Sequence, residues 1–220
     1  MNVPHWIAGL GLRLRTLVLV KMLGTAAGIY GFFLLYFWVM HSRAEHAAIV
    51  PMTPIDSWIG VSQLALLPYA SLWLYVSVAP ALALTMAALR TYIAGAFTMA
   101  GIGLGTFWIF PTTTPSFGVD WSAYPALHFL KATDAGGNAF PSLHVAFAAH
   151  TAVVIASELR SFGAPRWVHG GNWIWCIAIV YSTMATRQHV LIDVIGGLLL
   201  AWVAVRLCGP RLRTAAPLAS

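Results

Sequence analysis

The chain has 220 residues, 60% of them hydrophobic and only 8% charged, with mean hydropathy +0.79. Ordinary soluble domains carry about 25% charged residues, so this composition excludes a water-covered surface and puts the chain in the membrane class, as one bundle. The formal net charge is +6, but the basic residues flank apolar runs singly, which excludes a nucleic-acid partner and reads as topology signalling.

A span needs about 20 mostly apolar residues. The first candidate, 17–40, follows Arg13 and Arg15 and carries Lys21 near its start. It is longer than a signal-peptide core and lacks a clear cleavage site, so it reads as a retained span. A polar loop, 41–60, holds Pro51 and Pro54, and Asp56 there is expected to cap the next helix. Spans at 61–87 and 91–110 follow. Gly95, Gly101, Gly103 and Gly105 in the latter suit close helix packing. An irregular stretch, 111–140, is broken by Pro111, Pro115, Pro125, Gly136 and Gly137. The fourth span is expected at 141–158, and the last two, 172–187 and 188–207, are nearly continuous. Cys176 and Cys208 fall in or beside apolar runs with no C-x-x-C and read as buried thiols. The fold class is therefore all-α: a single polytopic membrane domain over 1–220, a six-transmembrane-helix bundle.

Orientation follows from the cations. Arg13, Arg15, Lys21, Arg90, Arg160, Arg166, Arg206, Arg211 and Arg213 fall on the side of the termini, and only Arg43, Lys131 and Arg187 on the other. The positive-inside rule then puts the termini in the cytoplasm and loops 41–60 and 111–140 outside. Short loops favour a bacterial inner membrane, whose outer side is the periplasm.

Ionisable residues inside spans are functional by default. The acids are Glu45, Asp56, Asp120, Asp134, Glu158 and Asp193, and Asp193 alone sits within an apolar run. His189 lies four residues before it, so on a helix the two share a face. A carboxylate there fixes the imidazole tautomer and leaves the other ring nitrogen as nucleophile or base. A buried structural pair is the alternative. The second constellation is Asn138-Ala139-Phe140-Pro141-Ser142-Leu143-His144. Pro141 at a first helical position would put Ser142 and His144 in the first turn, where free N–H groups and the helix dipole favour an anion. An ordinary capped helix start is the alternative. Both constellations fall on the outer side, beside Arg187, and together suit a tetrahedral anion. His128 and Lys131 lie in the outer loop, within reach of a headgroup; His150 reads as a packed histidine.

Pro141-Ser142-x-His144, a further span, then His189-x-x-x-Asp193 followed by glycine, resembles the type 2 phosphatidic acid phosphatase (lipid phosphate phosphatase) superfamily. The resemblance implies that His189 is a nucleophile forming a phosphohistidine, Asp193 its orienting carboxylate, His144 the acid for the leaving alcohol, and Ser142 a phosphate contact. It implies neither metal nor cofactor; no acid cluster or H-E-x-x-H is present to hold a metal. The family's lysine and Arg-Pro are absent from Phe110-Pro111-Thr112-Thr113-Thr114-Pro115-Ser116, and its Ser-Arg reads Ser182-Thr183. Arg187, with Asn138 and Lys131, remains for substrate phosphate. That pattern is similar to the branch of inositol phosphorylceramide synthase and sphingomyelin synthase. The expected activity is hydrolysis of a lipid phosphomonoester or pyrophosphate, with membrane lipids and a lipid phosphate as partners. Transfer of a phospho-headgroup between lipid or glycan alcohols is the alternative, and a proton-relaying transporter is the alternative of another class.

Overall fold

The computed structural model describes residues 4–132 and 137–213, with residue 132 and residues 209–213 as backbone alone. Asp134 and Gly136, and the side chains of Arg211 and Arg213, lie outside the described residues.

Helix α1 (His5–Arg15), not foreseen from the sequence, ends at an extended Thr16. Leu17, at φ 55°, then turns the chain into the 26-residue α2 (Val18–Arg43). Loop 41–60 holds β1 (Ala48–Ile49) and the short helix α3 (Pro54–Trp58), and α4 (Leu66–Ala70) and α5 (Leu72–Leu82) follow. An extended Ala83 ends α5, and the Thr85 hydroxyl accepts Ala88 N–H at 3.2 Å to cap α6 (Met86–Ile109). The second apolar stretch therefore stops at 82 instead of 87, and the third begins at 86 instead of 91. A threonine cap outweighs unbroken hydropathy because it satisfies a helix-end donor that lipid cannot.

The stretch 111–140 contains β2 (Thr112–Thr113), paired parallel to β1, and α7 (Pro125–Ala132). After it come α8 (Leu143–Ser161), α9 (Arg166–Ala185) and α10 (Leu191–Arg213). Helix α8 is the axis of the bundle, packed by α5, α6, α9 and α10. Its Val145, Ala146, Ala148 and Ala152 are fully buried. Two glycines of α6 allow that approach: a Cβ on Gly95 would fall 2.3 Å from His150 Nε2, and one on Gly103 2.5 Å from Leu143 Cδ2. Gly101 and Gly105 face nothing within 4 Å, so only half of the glycine series serves packing.

Among the described residues, four helical stretches are long and apolar enough to cross a membrane: Val18–His46, Gln63–Leu82, Met86–Ile109 and Leu191–Cys208. These fit an integral membrane protein. Helices α8 and α9, with 19 and 20 residues, reach about 28–30 Å at 1.5 Å per residue but fall short on composition. The reason is visible in their burial. His150, Thr151 and Glu158 of α8, and Asn172, Ser182 and Thr183 of α9, are all turned inward.

The bundle has two distinct ends. At one, Ala48 N–H donates to Pro111 C=O and Ala139 N–H to Thr112 C=O, both at 2.9 Å, so the two irregular loops close over the turn between α9 and α10. At the other, α1 meets the last turn of α8 through Arg13 and Glu158, and Lys21 of α2 joins α1 to the last turn of α5.

Candidate active site

The α9–α10 turn is built by a complete set of C-terminal cap bonds. Arg187 N–H donates to Met184 C=O, and Gln188 N–H to Thr183 C=O, each at 3.0 Å. This is the Schellman pattern, whose pivotal residue adopts a left-handed conformation and is normally glycine. Here it is Arg187, at φ 60°, a conformation that costs a non-glycine residue about 1–2 kcal/mol. Its guanidinium compensates: Nη1 donates to Asp56 C=O at 2.7 Å, Nη2 to Ile59 C=O at 2.6 Å, and the group lies 4.6 Å from the Phe117 ring centre.

His189 follows in the turn, before α10, and is not on the helix face that the four-residue spacing suggested. Asp193 folds back from the first turn. Its Oδ2 accepts Val190 N–H at 3.0 Å, the reciprocal half of a capping box, and faces His189 Nδ1 at 3.4 Å. Asp193 is fully buried. An Nδ1 proton directed at this carboxylate would leave the lone pair on Nε2.

The second constellation also shifts. Helix α8 begins at Leu143, so Ser142 is its N-cap and Pro141 precedes the cap. The buried Ser142 hydroxyl accepts Val145 N–H at 3.3 Å, and Ser142 N–H donates to Asp193 C=O at 3.0 Å. That backbone bond joins the two motifs directly. It exists because α10 carries Gly197 at the contact, where a Cβ would lie 2.4 Å from Ser142 C=O. His144, one residue into α8, brings its ring centre to 6.0 Å from that of His189.

Two aromatics that the sequence did not single out hold His144. Tyr69 stacks on it at 4.5 Å with planes 17° apart, and Trp73 meets it edge-on at 6.3 Å. They lie on α4 and α5, distant in sequence, and no local pattern marks them. A small, mostly aromatic cavity of about 40 Å³ is lined by Phe32, Phe33, Tyr36, Leu72, Trp73, Leu143 and His144.

Other expected residues are placed as follows. Asn138 donates to the Tyr36 hydroxyl and to Met40 Sδ, and Lys131 Nζ donates to Thr114 Oγ1 at 3.0 Å. His128 is exposed on α7. His150 packs on Tyr92 with ring centres 5.5 Å apart, as a buried histidine. Cys176 and Cys208 are buried free thiols. Asp56 does not cap the second span: it completes the capping box of α3 and reaches across to α10.

Among the described residues, three buried polar atoms around His189 have no partner: Arg187 Nε, Gln188 Nε2 and Asp193 Oδ1. Buried donors are nearly always satisfied in native proteins, and two of these are donors flanking the histidine. Gln188 carried no signal in the sequence, where it is one polar residue between two more conspicuous ones.

Comparison with curated proteins returns no match, and neither does comparison with solved structures. Residues 84–213, more than half of the chain and inclusive of both histidine motifs, match the model of the PAP2 superfamily, and the chain belongs to that superfamily.

Proposed function

We propose that the protein is a metal-independent lipid phosphatase that hydrolyses a lipid phosphomonoester or pyrophosphate through a phosphohistidine on His189. Superfamily membership points to phosphatase or phosphotransferase activity on phosphoesters. The observation that carries the finer reading is the convergence of two imidazoles, 6.0 Å apart between ring centres, on the start of α8 and the turn before α10. That separation admits a phosphoryl group between a nucleophile and an acid.

In the proposed reaction, His189 Nε2 attacks phosphorus and the P–O bond to the lipid breaks. Asp193 holds the Nδ1 proton and stabilises the charge that develops on the ring. His144, as the acid, gives a proton to the departing oxygen, then takes one from water as that water attacks phosphorus and the P–N bond breaks. Phosphate leaves and His189 is restored. Ser142 and the first turn of α8 face the phosphoryl oxygens. Arg187 Nε and Gln188 Nε2 are donors awaiting an acceptor-rich ligand. Asn138 and Lys131 would reach the phosphate only by leaving Tyr36 and Thr114. In this reading six helices span a bacterial inner membrane, the termini are cytoplasmic and the site is periplasmic. The cations support it, since Arg43, Lys131 and Arg187 all belong to the loops at the site end.

A second reading, transfer of a phospho-headgroup to another alcohol as in the inositol phosphorylceramide and sphingomyelin synthases, is favoured by one observation. Arg187 is the only lysine or arginine in the turn that holds His189, and a phosphodiester needs less countercharge than a phosphomonoester. The test is purified protein in detergent with EDTA, offered phosphatidic acid, a polyprenyl diphosphate and a phosphodiester lipid, beside His189→Ala. Free phosphate from the first two, absent in the variant, is expected. Headgroup transfer to an added acceptor lipid without phosphate release would replace hydrolysis with transfer. Phosphate release unchanged in His189→Ala would overturn the mechanism.

A further inference from the structure

We propose that Asp56, in the loop between α2 and α4, is a positioning residue for His189. This rests on the assignment of His189 as nucleophile. Asp56 is 1% exposed, yet its carboxylate is fully engaged. Oδ2 accepts Thr53 N–H at 2.7 Å and the Thr53 hydroxyl at 2.8 Å, completing the capping box of α3. Oδ1 reaches 135 residues along the chain to accept Leu191 N–H at 2.8 Å. Leu191 is the first residue of α10, so Asp56 supplies a carboxylate to a helix N-terminus from outside the helix, with the dipole in its favour.

The same residue acts again through its backbone. Its carbonyl takes Arg187 Nη1, while the carbonyl of Ile59, just after α3, takes Nη2. A further strut joins Ser62 N–H to Ala185 C=O at 3.0 Å. Residues 187 and 191 are thus both tied to one short segment, and His189 lies midway between the ties. Asp193 orients the imidazole from within α10; Asp56 holds the backbone that carries it. Without Asp56, Arg187 loses the countercharge beside it and keeps a left-handed backbone with nothing on the Asp56 side chain to secure the turn. Small displacements of a reacting group cost about 100-fold in rate even when the change is remote.

The experiment compares wild type, Asp56→Asn, Asp56→Ala and Thr53→Val in detergent, with His189→Ala as blank. One readout is kcat and KM for phosphatidic acid. The expected result is a kcat loss approaching about 100-fold in Asp56→Ala with little change in KM. Asp56→Asn keeps an acceptor for Leu191 N–H and should recover much of the loss. Thr53→Val removes the hydroxyl bond to Oδ2 but leaves Thr53 N–H on Oδ2 and Leu191 N–H on Oδ1, and should stay near wild type. The second readout needs no substrate: carbethoxylation of His189 by diethyl pyrocarbonate, mapped by mass spectrometry against the exposed His128 in the same sample. The ratio should rise severalfold in Asp56→Ala and stay at the wild-type level in Thr53→Val. An unchanged ratio in Asp56→Ala, or equal changes in Asp56→Ala and Thr53→Val, would overturn the proposal. Should Asp56→Ala not fold, Asp56→Asn decides: an unchanged ratio and kcat overturn the proposal, a partial shift in both supports it. A wild type silent on phosphatidic acid counts against that substrate alone, and the carbethoxylation ratio still decides the role of Asp56.

Discussion

Both ends of the bundle bury an arginine near a carboxylate, and they do so differently. At the end formed by α1 and the α8–α9 link, Arg13 is closed off. Its Nε faces Glu158 Oε2 at 3.4 Å, Nη1 donates to Gly9 C=O, Nη2 donates to Ser161 Oγ at 2.7 Å, and Phe162 lies 4.7 Å below. Lys21 beside it donates to two carbonyls, those of Arg13 and Ala81. At the histidine end, Arg187 is as buried as Arg13, yet its Nε is left over, together with Gln188 Nε2 and Asp193 Oδ1. The saturated cluster ties helices together; the unsaturated one, buried beside His189, leaves polar atoms that the proposed reaction would use for its ligand. Between these two clusters the difference lies in satisfaction of polar atoms, more than in burial or charge.

The largest effect that sharpens this contrast comes from Asp193→Asn. The amide keeps the shape and can still accept Val190 N–H, but it no longer fixes the His189 tautomer. By analogy with other carboxylate–histidine pairs, kcat should fall about 10⁴-fold while thermal stability in detergent changes little. A large loss of melting temperature with turnover intact would make Asp193 a structural residue and erase the contrast.

Glu158→Ala is the counterpart at the other end. Removing one partner of a buried pair leaves Arg13 uncompensated and should cost about 3 kcal/mol of stability, read as a lowered melting temperature. Turnover of the folded fraction should match wild type. A kcat loss comparable to that of Asp193→Asn would mean that the saturated cluster also serves catalysis.

The sequence carried the helical class, the approximate places of the long helices and the two histidine motifs, because hydropathy and short spacings are local; α9 begins at Arg166, six residues before the expected 172. It misplaced details where one cap decides them. Thr85 moved a boundary that apolar composition alone could not locate, and Ser142 displaced Pro141 from the first helical position. The spacing of His189 and Asp193 was legible, but its cause was not: the two meet because Asp193 folds back as a cap, not because they share a helix face. Asp56, Tyr69 and Gln188 were beyond local reading. Asp56 meets Leu191 across 135 residues, and Tyr69 reaches His144 from a different helix. Arg187 was noticed for its charge, whereas its backbone conformation becomes visible only once α9 is seen to end there.

The smallest effect tests the joint between the two motifs. Gly196 and Gly197 both face the segment that opens α8, but they meet different atoms. A Cβ on Gly196 would strike the Phe140 ring, 2.4 Å from Cε2, and a ring can swing aside. On Gly197 a Cβ would fall 2.4 Å from Ser142 C=O and 2.9 Å from Val145 Cβ, where the nearest atom is backbone. Gly197→Ala must therefore push α10 from α8 and stretch the Ser142–Asp193 bond, at an expected cost of about 1–3 kcal/mol. Turnover should fall with it, because that bond fixes Ser142 and His144 relative to Asp193 and His189. Gly196→Ala should be milder in both readouts. The ordering of the two alanines in melting temperature and kcat is the measurement, and its reversal would place the critical contact at Phe140, outside the backbone joint. The two motifs are separated by the whole of α9 in sequence, and this bond is the direct backbone tie between the elements that carry the two histidines.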